Sequence, residues 1–337
     1  MTTISAPAFP RFTSRASMPA AVLTGNARLE LHEVPIPQPQ HGEVRVQVEG
    51  CGVCASSLPI WEGRPWFHYP TSPGEPGHEG WGYIDAIGPG VTQFRAGDRV
   101  AYLSERSFAA FDVIRAQDAV RLPPSVDHLP FPGEALACGI NAFGRTRIQK
   151  GETVAVVGAG FLGILFTILA SKAGAKVIAI SRRAYAREMA TRSGAAATLP
   201  LGAPQDIATS IRHLNEGELC HCVIEACGLQ HSLDIASVIT RPGGRLIVAG
   251  YHQDGLRSVD MQLWNWNGID VINAHERDPN RYLAGIQNAV EAVSSGALNP
   301  STLYTHLLKL EHLDQAFQLL SERPPGFLKA LIVMKST

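Results

Sequence analysis

Several absences narrow the reading before any motif is considered. Cysteine is sparse, with six in 337 residues. They are too scattered for a disulfide framework, which points to a reducing, cytoplasmic setting. Neither sign of charge dominates: 29 Lys and Arg stand against 30 Asp and Glu, for a net charge of −1. With no long basic run, nothing favours a nucleic-acid surface. No charged residue falls between Glu152 and Lys172, yet this window is barely long enough to span a bilayer. Glycines 158, 160 and 163 break it into strand, turn and helix, so no membrane span is expected. A second Cys-x-x-Cys is also missing. Cys51-Gly52-Val53-Cys54 therefore makes no four-cysteine zinc knuckle, and its β context argues against a thioredoxin-like site.

The remaining composition, 45% apolar and 18% charged, is that of a globular chain with room for two full cores. Residues 1–17, with Arg11, Arg15 and no acid, faintly resemble a transit peptide but lack an amphipathic stripe and read as a loosely docked tail. From Met18 to about Val126, alternating stretches such as 43–49 are separated by Pro and Gly turns, the pattern of a mainly antiparallel, barrel-like domain. A helix is expected around 131–148. From Glu152 the period changes to βαβ, with strands at 153–157, 176–180, 221–226, 244–249 and 269–273. A helix over 281–295 and a last strand over 327–333 close the chain. The fold class is α/β: a Rossmann domain (146–285) inserted between two segments (18–145 and 286–337) of a β-rich domain.

Residues 154–163 end an apolar run in Gly158-Ala159-Gly160-Phe161-Leu162-Gly163. In a βα turn that binds a dinucleotide pyrophosphate, Gly158 allows the tight turn and Gly160 the close approach of phosphate. Gly163 lets helix pack on strand, and the N–H groups at the helix start, around Phe161 and Leu162, face the anion. A strand end suited to NAD would carry an acid for the ribose 2′-hydroxyl. No acid occurs between Gly163 and Glu188; Ser181, Arg182 and Arg183 stand there instead. A hydroxyl and two guanidinium groups suit a 2′-phosphate, and NADP(H) is expected over NAD(H). The bland reading is a glycine-rich strand and helix without a ligand.

Three further segments bring metal-ligand types: Cys54-Ala55-Ser56-Ser57, Gly77-His78-Glu79-Gly80 and Gly133-Glu134 through Cys138. One thiolate, one imidazole and one carboxylate could hold Zn²⁺ with a position open. Zinc lowers the pKa of a bound water to roughly 7 and would act likewise on an alcohol. Cys138, a turn of helix after Glu134, competes with it as a ligand. Cys220, Cys222 and Cys227 read as core thiols, and His68, His252 and His275 have no ligand-like spacing.

Together these segments, with Gly97-Asp98-Arg99-Val100 and Gly243-Gly244-Arg245-Leu246, resemble the zinc-dependent medium-chain dehydrogenase/reductase family, the alcohol, sorbitol and threonine dehydrogenase group. The likeness runs from about Met18 to Val333 and implies a Rossmann domain set into a GroES-like β domain, acting as a homodimer or homotetramer. It implies Cys54 and His78 as ligands of one catalytic zinc and Glu134 as third ligand or water-mediated partner. Glu79 would be the carboxylate that exchanges with water, and Ser56 the hydroxyl that takes the substrate proton. Lys329 lies where the family often has a basic residue reaching the cofactor or closing the domain. Gly250-Tyr251 and Ile272-Asn273-Ala274 would flank the nicotinamide. Three departures stand out. The stretch from Ser104 to Phe108 has no cysteine, so no structural zinc is expected. Ser57 replaces an aspartate behind the ligands, a loss able to weaken metal binding about 10- to 100-fold. Pro59 removes a relay histidine.

Trp61, Trp66, Phe67, Tyr69 and Trp81 cluster between the first two ligands; they serve either as an aromatic substrate wall or as ordinary packing. The resulting expectation is hydride transfer between NADP(H) and a small alcohol or carbonyl, such as a polyol or secondary alcohol. A zinc-independent NADPH quinone or enoyl reductase and a non-catalytic NADPH-binding protein are the alternatives.

Overall fold

The computed structural model describes residues 16–25 and 27–334. The tail expected over 1–17 therefore lies outside the described residues, except for Ala16 and for Ser17, which opens the first strand. The first half comprises β1 (Ser17–Gly25), β2 (Arg28–Pro35), β3 (Glu43–Gly52), α1 (Leu58–Trp61), β4 (Glu79–Ile87), β5 (Arg99–Tyr102), β6 (Phe111–Arg115), β7 (Ala119–Arg121) and α2 (Gly133–Gly144). β3 alternates buried and half-buried residues along Glu43–Glu49, as its Val-x-Val-x-Val sequence dictates for a strand with one face on the core.

The second half begins with β8 (Thr153–Val157), α3 (Phe161–Lys172), β9 (Lys176–Ile180), α4 (Ala184–Arg192), β10 (Ala197–Leu199) and α5 (Pro204–Leu214). It continues with β11 (Cys220–Glu225), α6 (Gln230–Ile239), β12 (Thr240–Val248), α7 (Met261–Trp266) and β13 (Asp270–Asn273). These six strands form one parallel sheet in the order β10-β9-β8-β11-β12-β13. Every residue of β8 is buried, which explains why it reads as a continuous apolar run rather than an alternation. The strand order reverses between β8 and β11, the place where open α/β sheets leave a ligand crevice beyond their carboxyl ends.

The chain then returns through α8 (Pro279–Ser294), β14 (His306–Lys309), α9 (Leu313–Glu322) and β15 (Ala330–Val333). β15 pairs antiparallel with β3, placing Leu331 opposite Gly52, while β3 pairs antiparallel with β4, placing Gly52 opposite Glu79. Three strands distant in sequence thus bring the ends of the Cys54 segment, the His78 segment and the Lys329 segment together. The sheet is antiparallel except at its β14–β15 edge, where the strands run parallel. One apolar core runs through both halves, from Trp81, Phe131 and Leu136 to Val154, Phe166, Ile286 and Leu331. No helix among the described residues is long and apolar enough to cross a membrane.

Candidate active site

Cys54 and Ser56 follow the end of β3, where the chain leaves the sheet and turns into a short 3-10 helix over Ala55–Ser57. His78 immediately precedes β4, and Glu79 is its first residue. One ligand atom each from Cys54, His78 and Glu79 lies within 4.8 Å of the others. His78 Nδ1 is 3.0 Å from the Pro76 carbonyl, an acceptor only, so Nδ1 donates to it and Nε2 is the nitrogen left facing the cluster, the one that would hold a metal. Ser56 Oγ lies 3.2 Å from Cys54 Sγ and 3.4 Å from His78 Nε2, on the same side as the donor atoms. Behind the ring, Glu105 reaches within 3.9 Å of Nδ1, and buried Ser57 donates to the same Pro76 carbonyl at 3.5 Å. The position lacking an aspartate is thus served by a backbone carbonyl with a carboxylate nearby.

The pocket is rich in acidic groups. Burial alone would lower the His78 pKa, but its hydrogen bond to Cys54 and the charges of Cys54, Glu134 and Glu79 outweigh this and raise it well above the ordinary value. A site that draws a proton onto its imidazole in this way is one a divalent cation can neutralise. The thiolate, imidazole and carboxylate set therefore fits zinc.

Glu134, in the first turn of α2, stands outside the tight trio. Its Oε1 accepts the Cys138 thiol at 3.1 Å, and Cys138 Sγ lies 3.6 Å from the Tyr282 hydroxyl of α8. Burial, reinforced by Glu79, raises the Glu134 pKa despite the opposing effects of His78, Cys138 and Lys329. Burial first, and then Glu134, also hold the Cys138 thiol well above its usual range. Cys138 is thus placed as a hydrogen-bond donor to Glu134.

Lys329, 4% exposed, donates to Glu79 Oε1 at 2.7 Å and to the Val53 carbonyl at 3.2 Å. Its ammonium also sits 4.7 Å from the centre of the Phe161 ring, at the start of α3. Burial opposes its charge, but Glu79, Cys54 and Glu134 more than compensate, and its pKa is raised. The close fit needs Gly52, since a Cβ there would lie 1.7 Å from Glu79 Oε2.

The three fingerprint glycines have three distinct surroundings. Gly158 adopts φ +105, and a Cβ on it would meet Cys227 Sγ at 2.4 Å. A Cβ on Gly163 would lie 1.7 Å from the Gly158 carbonyl oxygen, whereas one on Gly160 would meet nothing within 4 Å. Gly160 caps α3, with Phe161 and Leu162 opening its first turn. Ser181, Arg182 and Arg183 follow β9 at the far side of the same crevice. Ser181 is buried, Arg182 exposed and Arg183 half-buried, and Arg183 sends its guanidinium to the Phe327 carbonyl at 2.6 Å.

The aromatic residues divide. Trp61 stacks on Phe317 with centroids 5.6 Å apart and Trp81 is 1% exposed, so both belong to the core. Trp66, 56% exposed, leans on Phe67 at the surface.

Family models match two parts of the chain: "Alcohol dehydrogenase GroES-like domain" over residues 40–121 and "Zinc-binding dehydrogenase" over residues 162–291. The sorbitol dehydrogenase of Bacillus subtilis is 28% identical over 90% of this chain and 93% of its own length. The chain belongs to the zinc-type medium-chain dehydrogenase/reductase family. Among solved structures, a zinc-binding dehydrogenase from Sinorhizobium meliloti bound to NADP superposes with a TM-score of 0.82 at 21% identity, covering 95% of this chain and 100% of that one. A short chain alcohol dehydrogenase from E. coli CFT073 complexed with NADH gives 0.83 at 23% identity over the same shares. Both show a shared fold. As a family member the chain is an oxidoreductase of the alcohol dehydrogenase kind that uses a nicotinamide dinucleotide.

One group beside the fingerprint turn escaped the sequence reading. Buried Glu225, the last residue of β11, accepts from the Cys227 and Gly228 backbone N–H groups at 2.8 Å each and from Ser232 Oγ at 2.7 Å. His252 Nε2 lies 3.0 Å from its other oxygen, while Arg257 Nε donates to His252 Nδ1 at 2.9 Å. The network ties the ends of β11 and β12 together. An acid ending an apolar strand was the available signal.

Proposed function

We propose that this protein is a zinc-dependent, NADP(H)-preferring alcohol dehydrogenase or carbonyl reductase acting on a small molecule such as a polyol or other secondary alcohol. The observation that carries this reading is the trio of Cys54, His78 and Glu79 donor atoms within 4.8 Å of one another. They stand across the Lys329–Phe161 contact from the dinucleotide fingerprint. Cys54 and His78 would hold the metal, with Glu79 closing the set in the geometry seen and Glu134 held in reserve by Cys138. Zinc, when bound, supplies a Lewis acid for the substrate oxygen, and the nicotinamide supplies or takes up hydride.

The chain's own residues do the rest. Ser56 is placed to hold the hydroxyl proton of an alcohol and, in the opposite direction, to return it to a forming alkoxide. Pro59 provides no onward relay, so that proton passes to a cofactor ribose or to water. Lys329 fixes the Glu79 carboxylate and keeps Phe161 against the same cluster, which sets the distance between metal pocket and dinucleotide turn. Ser181, Arg182 and Arg183 offer a hydroxyl and two guanidinium groups to a 2′-phosphate.

Cys54→Ala tests the reading. Turnover of ketones with NADPH should fall by orders of magnitude, while NADPH binding, followed by nucleotide fluorescence, stays within a fewfold of wild type. Retained turnover would move the assignment to zinc-independent reduction.

A further inference from the structure

Glu225 is a buried carboxylate for which the chemistry outlined above has no use. It ends β11, beside the point where the strand order of the parallel sheet reverses. A carboxylate taken out of water needs hydrogen-bond donors, and here they come from two separate segments. Its Oε1 holds the turn after β11 through Cys227, Gly228 and Ser232, while His252, from the loop after β12, meets Oε2. The fit leaves no spare room. A Cβ on Gly250 would lie 2.6 Å from Glu225 Oε2, and one on Gly228, at φ +76, would lie 2.4 Å from the Tyr251 carbonyl oxygen.

From 251 to 260 the chain forms neither helix nor strand, and only His252, Gln253 and Arg257 are half-buried while the rest is exposed. Each of the three makes a directed contact. Arg257 Nε donates to His252 Nδ1 at 2.9 Å, and another of its nitrogens donates to the Gly228 carbonyl at 3.0 Å. Further along, the Ser258 N–H donates to Gln230 Oε1 at 2.9 Å, and Gln230 Nε2 donates to the Ser258 carbonyl at 2.8 Å. The loop is thus fastened on both sides of Gln253. Gln253 Nε2 donates to the Ala55 carbonyl at 3.4 Å, across 198 residues of sequence. Ala55 stands between Cys54, read above as a metal ligand, and Ser56, read above as the proton-holding hydroxyl.

We propose that Gln253 is a positioning residue of the reaction: carried by the Glu225–His252–Arg257 chain, it holds the Ala55 carbonyl and so fixes the segment bearing Cys54 and Ser56 against the dinucleotide half. This rests on the metal reading of Cys54 above and is independent of any preference between NADP(H) and NAD(H). The buried carboxylate becomes the anchor of a line of hydrogen bonds that runs from the end of β11 to the metal segment. A dinucleotide entering the crevice beside β11 is then felt at Cys54, because a shift of the loop moves Ala55 with it.

The test uses the full-length protein loaded with Co²⁺ in place of zinc, whose visible absorption bands report the geometry of its ligands. The second probe is NADP⁺ or NAD⁺, whichever binds more tightly. In wild type, saturating dinucleotide should shift the cobalt bands. Gln253→Glu keeps the size of the side chain and removes its N–H donor. It should bind Co²⁺ and dinucleotide within about threefold of wild type, the scale of one neutral hydrogen bond, yet lose most of the band shift. His252→Ala, which unties the same loop, should lose it too; Gln253→Glu decides the matter alone if His252→Ala fails to fold. A wild type that takes up no Co²⁺ would remove the metal reading and this inference with it. Bands that stay unmoved when dinucleotide binds wild type, or that shift equally in Gln253→Glu or in a folded His252→Ala, would overturn the inference and leave the metal reading standing. A loss of Co²⁺ or dinucleotide affinity on the order of tenfold or more in Gln253→Glu would make Gln253 a binding contact rather than a positioning one, and would overturn it as well.

Discussion

At the scale of single residues, the site is organised by what its neighbours leave room for. Lys329 and Glu79 are 4% and 1% exposed, and a buried ion pair of this kind is costly to disturb because each charge needs the other. Gly52→Ala puts a methyl group where the Glu79 carboxylate lies. We expect it to destabilise the fold by about 3 kcal/mol or more, the scale of breaking a buried pair, and to lower zinc retention; an unchanged urea midpoint and zinc content would contradict the packing described. Cys54, His78 and Glu79 could be singled out in the sequence because each sits in a short motif of ligand-type residues, although Glu134 was expected as the third ligand and Glu79 as the carboxylate that exchanges with water. The pairing of Lys329 with Glu79 was not legible, because it spans 250 residues and depends on the β15–β3–β4 register. Nor could spacing show that Glu134 turns toward Cys138, since a helical i, i+4 relation allows either residue to face the metal.

At the scale of elements, the strand, turn and helix around the glycine fingerprint were legible because their signals are local. The strands at 153–157 and 176–180 lie where the apolar runs put them, and α3 begins at Phe161, within the glycine pattern. β12 starts earlier than its apolar stretch, at Thr240, through Pro242 and two glycines that carry no strand propensity of their own. β10, β14 and α9 were not anticipated; two of them are strands of three or four residues, whose existence is set by a neighbouring strand rather than by composition. The glycines of the turn allow a sharp comparison. Gly163→Ala should cost about 1–3 kcal/mol by forcing helix from strand. Gly160→Ala, which meets nothing, should leave stability within about 0.5 kcal/mol yet weaken NADPH binding by keeping phosphate from the backbone. Thermal melts and nucleotide titrations of the two variants check this, and an equal loss of stability in both would refute the division of roles.

At the scale of the whole molecule, two sheets share one core, and the contacts that join the halves again include Lys329 with Phe161 and Arg183 with the Phe327 carbonyl. Both involve the segment leading into β15, so the final stretch of the β-rich half faces the Cys54–His78–Glu79 cluster on one side and the end of β9 on the other. The sequence shows that a Rossmann unit interrupts a β-rich one, and the family resemblance marks Lys329 as a residue that reaches the cofactor or closes the domain; the contact of Arg183 with the Phe327 carbonyl was not legible, because nothing about it is periodic or motif-like. The proposed function requires that the chain bind one zinc in the Cys54–His78 pocket. Metal analysis of the protein purified without chelator tests it most directly, with Cys54→Ala prepared in parallel. We predict about one equivalent of zinc in wild type and almost none in the variant, with both folded. A folded wild-type chain free of zinc that still oxidises or reduces substrate with NADP(H) would contradict the account.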